Sequence, residues 1–272
     1  MLRLFVIMAV LTAGLAALLG PIERAMLYPF DATRISPADA GASRLTEARF
    51  TTDTQTLILW VAPPKPGKPV ILYFHGNAGN LANRAGRFRH FLDRGYGLIA
   101  PAYRGSSGST GTPSEADLTA DATAILAALP DFIPDLAPEN VILYGESLGT
   151  GIAIQLATTT AARSIAGVIL EAPYTSIPDV TRTLYPLLVP VLWAMTNTWG
   201  NLARAPALTQ PLLILHGDQD RLIPIEQGRQ IFAAAPSKDK QFIAVQGASH
   251  TTIWRSDVLP EIWAFIDGYA DK

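Results

Sequence analysis

From Pro69 onward, short and nearly continuous apolar runs alternate with longer stretches in which apolar residues recur every three or four positions. The runs are Pro69 to Phe74, Tyr96 to Tyr103, Val141 to Tyr144, Ile165 to Leu170, Pro211 to Leu215 and Gln241 to Val245. Their length and their richness in Val, Ile and Leu predict strands covered on both faces. The stretches between and after them, near 80–94, 114–129, 148–160, 178–199, 225–235 and 257–270, predict helices. One start and stop is explicit: Ser114-Glu-Ala-Asp117 follows Pro113 as an N-cap box, and Pro130 ends the pattern it opens. Upstream, Leu45 to Thr51 and Gln55 to Val61 alternate in the manner of two strands, with Thr52-Asp53 as the turn and Pro63-Pro-Lys-Pro-Gly67 as the stop. Strands alternating with helices imply an α/β fold, a mostly parallel sheet with helices on both faces.

The amino-terminal pattern is different. Leu4 to Gly20 is apolar and free of charge, about the shortest run that spans a bilayer and longer than the core of most cleaved signals. Residues 1–24 are therefore expected to form a membrane anchor, with a cleaved secretion signal as the alternative. Arg3 ahead of the run places the domain that follows on the exported side, periplasmic or lumenal. Residues 25–44, broken by turn formers, are expected to be an extended connector to a domain covering 45–272.

Composition narrows the function. Of 272 residues 49% are hydrophobic, net charge is −2, and Lys and Arg are scattered, which argues against a nucleic-acid partner. No cysteine is present, which removes thiolate nucleophiles, disulfides and cysteine zinc sites. The remaining chemistry gathers where predicted strands end, the usual place for sites in such sheets. Val141-Ile-Leu-Tyr-Gly-Glu-Ser-Leu-Gly149 has the form of a nucleophile elbow: a strand, a serine between two glycines, then an Ala-rich helix. Glycines at 145 and 149 would spare the strained serine its crowded neighbours, and the Leu148 N–H at the helix start would face a developing oxyanion. His216-Gly-Asp-Gln-Asp220 and Gly247-Ala-Ser-His250 end two later strands. Ser147 as nucleophile, His250 as base and Asp220 as the group orienting it follow from the proton chemistry. Asp218 competes with Asp220, but its place directly after Gly217 suits a bond to the turn backbone. His75 and His216, at the ends of buried strands, suit neutral bonding to loop backbone, and His90 suits solvent. His75-Gly-Asn-Ala-Gly-Asn80 resembles the loop that supplies a second N–H in lipases and esterases, here that of Asn77.

Together with Tyr103-Arg-Gly105, Gly111-Thr-Pro-Ser-Glu115 and Leu170-Glu-Ala-Pro-Tyr-Thr-Ser176, these motifs make the chain from about 45 to 270 resemble an α/β-hydrolase. It is similar in particular to small membrane-anchored serine hydrolases related to eukaryotic depalmitoylating enzymes. Ala102 and Ser106-Ser-Gly108 depart from that pattern, which has Asp before Tyr-Arg-Gly and an aromatic-Gly pair after it. The resemblance implies an α/β-hydrolase fold with an eight-stranded type of sheet, and a short helical cap over 175–206, between strands 6 and 7. It implies a hydrolase of carboxylic esters or thioesters of acyl or lipid type, working through a Ser147 acyl-enzyme without metal or organic cofactor. A serine peptidase of aminopeptidase kind, acting on short peptides, is the alternative. The apolar segment from Tyr174 to Pro206 would either cap Ser147 or lie toward the bilayer, accommodating an acyl chain, or pack on the core as an amphipathic helix.

Overall fold

A computed structural model describes residues 20–52 and 54–269. Eight strands form one sheet: β1 (Thr46–Thr51), β2 (Thr56–Ala62), β3 (Val70–Phe74), β4 (Gly97–Pro101), β5 (Val141–Glu146), β6 (Gly167–Glu171), β7 (Leu212–Gly217) and β8 (Lys240–Val245), in the order β1-β2-β4-β3-β5-β6-β7-β8. β2 runs antiparallel to both its neighbours, and every other pair is parallel. This is the α/β-hydrolase fold.

Side chains alternate across the sheet and feed two apolar layers. On one face Leu72, Phe74, Leu143 and Leu170 pack with α3 (Glu115–Ala127) and α5 (Leu148–Ala157). On the other, Ile71, Tyr73, Ile142 and Tyr144 pack with α2 (Ala85–Asp93) and α9 (Leu259–Asp267). Val141 through Tyr144 are wholly buried, which is why β5 reads as an unbroken apolar run. The remaining helices are α1 (20–27), α4 (Leu129–Phe132), α6 (Ile177–Leu184), α7 (Asn201–Arg204) and α8 (Ile225–Ala234). The N-cap of α3 is as expected, with the Ser114 side chain accepting from the Asp117 N–H.

Two segments differ from expectation. The connector does not begin extended, because α1 runs to residue 27 and packs against the core through Leu27. Its Glu23 carboxylate accepts from the N–H groups of Thr196 and Asn197, and the Tyr28 hydroxyl donates to Asn197 and accepts from the Trp199 indole. These partners lie in the distant cap and are invisible to local pattern. The cap, for its part, is not one helix over 178–199. Pro186 and Pro190, lacking N–H groups, break it after α6 into a 3₁₀ stretch, Pro186–Ala194. That stretch is not packed on the core: Leu187 is 93% exposed and Trp193 77%. The anchor expected over residues 1–24 lies outside the described residues up to residue 19. Among the described residues no helix is long and apolar enough to cross a membrane.

Candidate active site

The register of the central strands assembles the site. β3 and β5 pair with Phe74 opposite Gly145, so the loop after β3 lies beside the turn after β5. β7 and β8 pair with Gly217 opposite Val245, which brings the loop holding Asp220 against the turn holding His250.

Ser147 sits at the β5–α5 turn with φ 50° and ψ −113°, a left-handed conformation costing a non-glycine residue about 1–3 kcal/mol. The turn is held by the Ser147 N–H donating to the Glu171 carbonyl at 2.8 Å, and by the Thr150 N–H donating to the Ser147 carbonyl at 2.9 Å. Glycine is required on both sides because backbone approaches closely. A Cβ on Gly149 would stand 2.0 Å from the Phe74 carbonyl oxygen, and one on Gly145 would stand 2.6 Å from the Gly149 oxygen. The turn thus wedges itself against the end of β3.

The Ser147 hydroxyl lies 2.9 Å from Nε2 of His250, whose Nδ1 lies 2.7 Å from Oδ2 of Asp220. Asp220 is buried, and its Oδ1 accepts from the N–H groups of Leu222 and Ile223, both at 2.9 Å. Burial alone would raise this carboxyl's pKa, but the hydrogen bond and charge of His250 and the Ile223 N–H hold it below its usual value. An ionised Asp220 can only accept, so Nδ1 of His250 carries the proton and the Nε2 lone pair faces the serine O–H. Asp218 is engaged elsewhere, accepting from the Gly247 N–H at 2.7 Å.

Asn77 and Leu148 line the same cavity as Ser147, and Leu148 is the first residue of α5, where backbone N–H groups lack intrahelical partners. The cavity, of about 220 Å³, is otherwise mostly apolar, walled chiefly by Met26 and Leu27 of α1, Ile177 and Leu184 of α6, and Ile223, with Thr181, Tyr174 and Tyr185 adding hydroxyl groups. A second chamber of about 140 Å³ shares Met26, Leu27 and Thr181 with it and continues between α1 and the 3₁₀ stretch.

Beneath the serine lies a charged network the sequence reading missed. Glu146 is paired with Arg84 at 3.1 Å and accepts from Tyr73 at 2.7 Å, while Arg87 pairs with Glu171 at 2.6 Å. Burial opposes ionisation of Glu146, yet Arg87, Arg84 and the Tyr73 hydrogen bond bring its pKa down to about 2. Arg84 also donates to the Ala78 carbonyl, tying the loop that carries Asn77 to the elbow. From the other side the same loop is held by α1's continuation, through a bridge between Phe30 and Gly79 and the Asp31 N–H on the Gly79 carbonyl at 3.0 Å. The two arginines lie one α-turn apart near Phe88, which is the only local hint of their common direction.

His75 and His216 are buried, and each donates to a backbone carbonyl, of Gly76 at 2.7 Å and Ile223 at 2.8 Å. Burial, with the Arg84 charge adding to it, lowers the His75 pKa to about 3. His90 is exposed on α2.

Comparison with known proteins places the chain in a family. The family model described as serine aminopeptidase, S33, matches residues 65–203 and 195–256. An uncharacterised protein of Mycobacterium tuberculosis is 29% identical over 90% of this chain and 86% of its own. The lysophosphatidylserine lipase ABHD12 of Rattus norvegicus is 32% identical over 71% of this chain, which spans 54% of that lipase. Among solved structures, the Pyrococcus furiosus esterase Pf2001 superposes with a TM-score of 0.67 over 89% of this chain and 95% of that one. At 17% identity, that likeness speaks for the fold alone.

Proposed function

Since the chain belongs to the α/β-hydrolases of the serine aminopeptidase S33 family, we propose that it hydrolyses carboxylic esters or thioesters of acyl or lipid type through a Ser147 acyl-enzyme. The observation that carries this reading is the unbroken chain Ser147–His250–Asp220 opening into an apolar cavity. Oγ of Ser147 attacks the substrate carbonyl carbon as its proton passes to Nε2 of His250. The negative oxygen formed is received by the N–H groups of Asn77 and Leu148. Asp220 stabilises the imidazolium, which then protonates the departing alcohol or thiol. Water, deprotonated by His250, attacks the acyl carbon, and the acyl–Oγ bond breaks as the His250 imidazolium returns that proton to Oγ, releasing the acid and the free serine. None of these steps calls for a metal or organic cofactor.

The apolar walls favour an acyl chain as the group accommodated, in keeping with the lipase among the relatives. An aminopeptidase would need a carboxylate facing the peptide ammonium. Among the described residues no Asp or Glu lines the Ser147 cavity, and Glu23 in the adjoining chamber is taken up by Thr196 and Asn197. The charge-free run Leu4 to Gly20 supports anchoring in a membrane, and Arg3 ahead of it supports a hydrolase on the exported side.

The test is Ser147→Ala beside the parent chain on a p-nitrophenyl ester length series and an aminopeptidase panel. Ester turnover and fluorophosphonate labelling should fall by about 10,000-fold or more in the variant. Labelling that survives would sink the nucleophile assignment, and peptide cleavage without ester cleavage would replace the substrate class.

A further inference from the structure

The large apolar side chains left exposed among the described residues are gathered, not scattered. Ile22 and Met26 lie on α1, Leu222 follows Asp220, and the others occupy 185–193 of the cap. Met26, Tyr185 and Leu222 line the Ser147 cavity, and Ile22, Met26 and Leu188 line the chamber beside it, so the exposed patch is the rim of the pocket mouth. Leu187, Val189 and Trp193 stand outside both cavities and are 93%, 43% and 77% exposed.

We propose that Leu187, Val189 and Trp193 enter the acyl-chain region of a lipid bilayer, with the outer edge of α1 beside them, so that the pocket mouth rests on the membrane. A patch of this kind is covered in use, and three observations select lipid as the cover. Pro186 to Met195 carries no charged or hydrogen-bonding side chain except the Trp193 indole, so it offers a protein partner little polar recognition. Pro186 and Pro190 also delete two backbone donors that lipid would leave unpaired, and an indole suits the interface between headgroups and chains. The third is continuity: the charge-free run Leu4 to Gly20 leads directly into α1, which carries Ile22 and Met26 of the same rim. Docked this way, an acyl substrate would pass from the bilayer to Ser147 between α1 and the cap without crossing water. That delivery step rests on the acyl-hydrolase reading, whereas the docking does not.

The experiment uses the full chain reconstituted in phosphatidylcholine–phosphatidylglycerol vesicles with dibrominated acyl chains, which quench tryptophans in contact with them. Trp60, Trp199 and Trp263 are buried and Trp254 is half-buried, so quenching is expected in the parent and lost in Trp193→Phe. Leu187→Glu should slow hydrolysis of a long-chain ester held in vesicles about 5- to 10-fold, within the worth of one inserted apolar side chain, while leaving a water-soluble short ester untouched. Parent fluorescence indifferent to bromine overturns the proposal, as does Leu187→Glu behaving like the parent on vesicles. Trp193 shielded from both brominated lipid and aqueous iodide would assign the face to a second copy or another protein and equally overturn it. Quenching needs no turnover, so Ser147→Ala reports docking even should the chain hydrolyse no acyl ester.

Discussion

Two aspartates stand two positions apart in one loop, and their surroundings give them unlike tasks. Asp220 is buried with both oxygens engaged, one of them by His250; Asp218 binds a turn N–H at the surface. Asp220→Asn would present a donor to Nδ1 and favour the wrong tautomer, so kcat should drop about 10,000-fold with the fold intact. Asp218→Asn should remain within about twofold, as for an ordinary surface change. Steady-state rates of the two variants on one ester separate the roles. Arg84 acts at one remove, through Glu146 and the Ala78 carbonyl. In Arg84→Met the loop bearing Asn77 is released from the elbow, and the expected result is a kcat about tenfold lower with little change in KM, since one oxyanion donor would be displaced but not deleted. The serine, aspartate and histidine were legible because each ends an apolar run in the chain order of this fold. The Arg84 and Glu146 pairing was not, because two charges 62 residues apart show no periodicity that links them.

Helix α1 shows the same limit over a whole element. Its fixed points are Glu23 on Thr196 and Asn197 and Tyr28 on Asn197, contacts spanning roughly 170 residues, so the local pattern of turn formers suggested only an extended connector. The strands were readable for the opposite reason: burial on both faces writes itself into consecutive positions. In the cap, the apolar composition was plain, but whether it met core or solvent depended on Pro186 and Pro190. Removing the carboxylate in Glu23→Ala leaves the buried Asn197 N–H unpaired at about 1–3 kcal/mol, while the Thr196 N–H is open to water. Faster proteolysis within 185–195 should follow, with the core transition little changed. Met26 lines both chambers, with Leu27 and Thr181, so Met26→Ala should widen the space between them. Each further methylene that finds room is worth about 0.8 kcal/mol, or about fourfold in kcat/KM, and a chain-length series should shift toward longer esters.

For the molecule as a whole, the sheet holds titratable groups in fixed states, and acid should undo it over two overlapping intervals. His75 has its pKa lowered from 6.5 to about 3 and Glu146 from 4.5 to about 2. In both cases the unfolded chain binds a proton that the native state refuses, so stability rises with pH across each interval. The His75 contribution is complete above pH 6.5 and is lost on descent toward 3; that of Glu146 is complete above 4.5 and is lost toward 2. Each proton contributes at most about 1.4 kcal/mol per pH unit. Thermal melts between pH 7 and 4 should therefore fall steadily, and His75→Asn should flatten the upper part of that slope; an unchanged slope would refute the buried neutral imidazole. The bond between Glu23 and Thr196 carries a last consequence, in time. Those residues are 173 apart, so at about 5–20 residues per second a ribosome needs roughly 10–30 seconds between making the first and the second. Helix α1 is thus made long before its partners in the cap, and throughout that interval its apolar side is open to whatever meets the nascent chain.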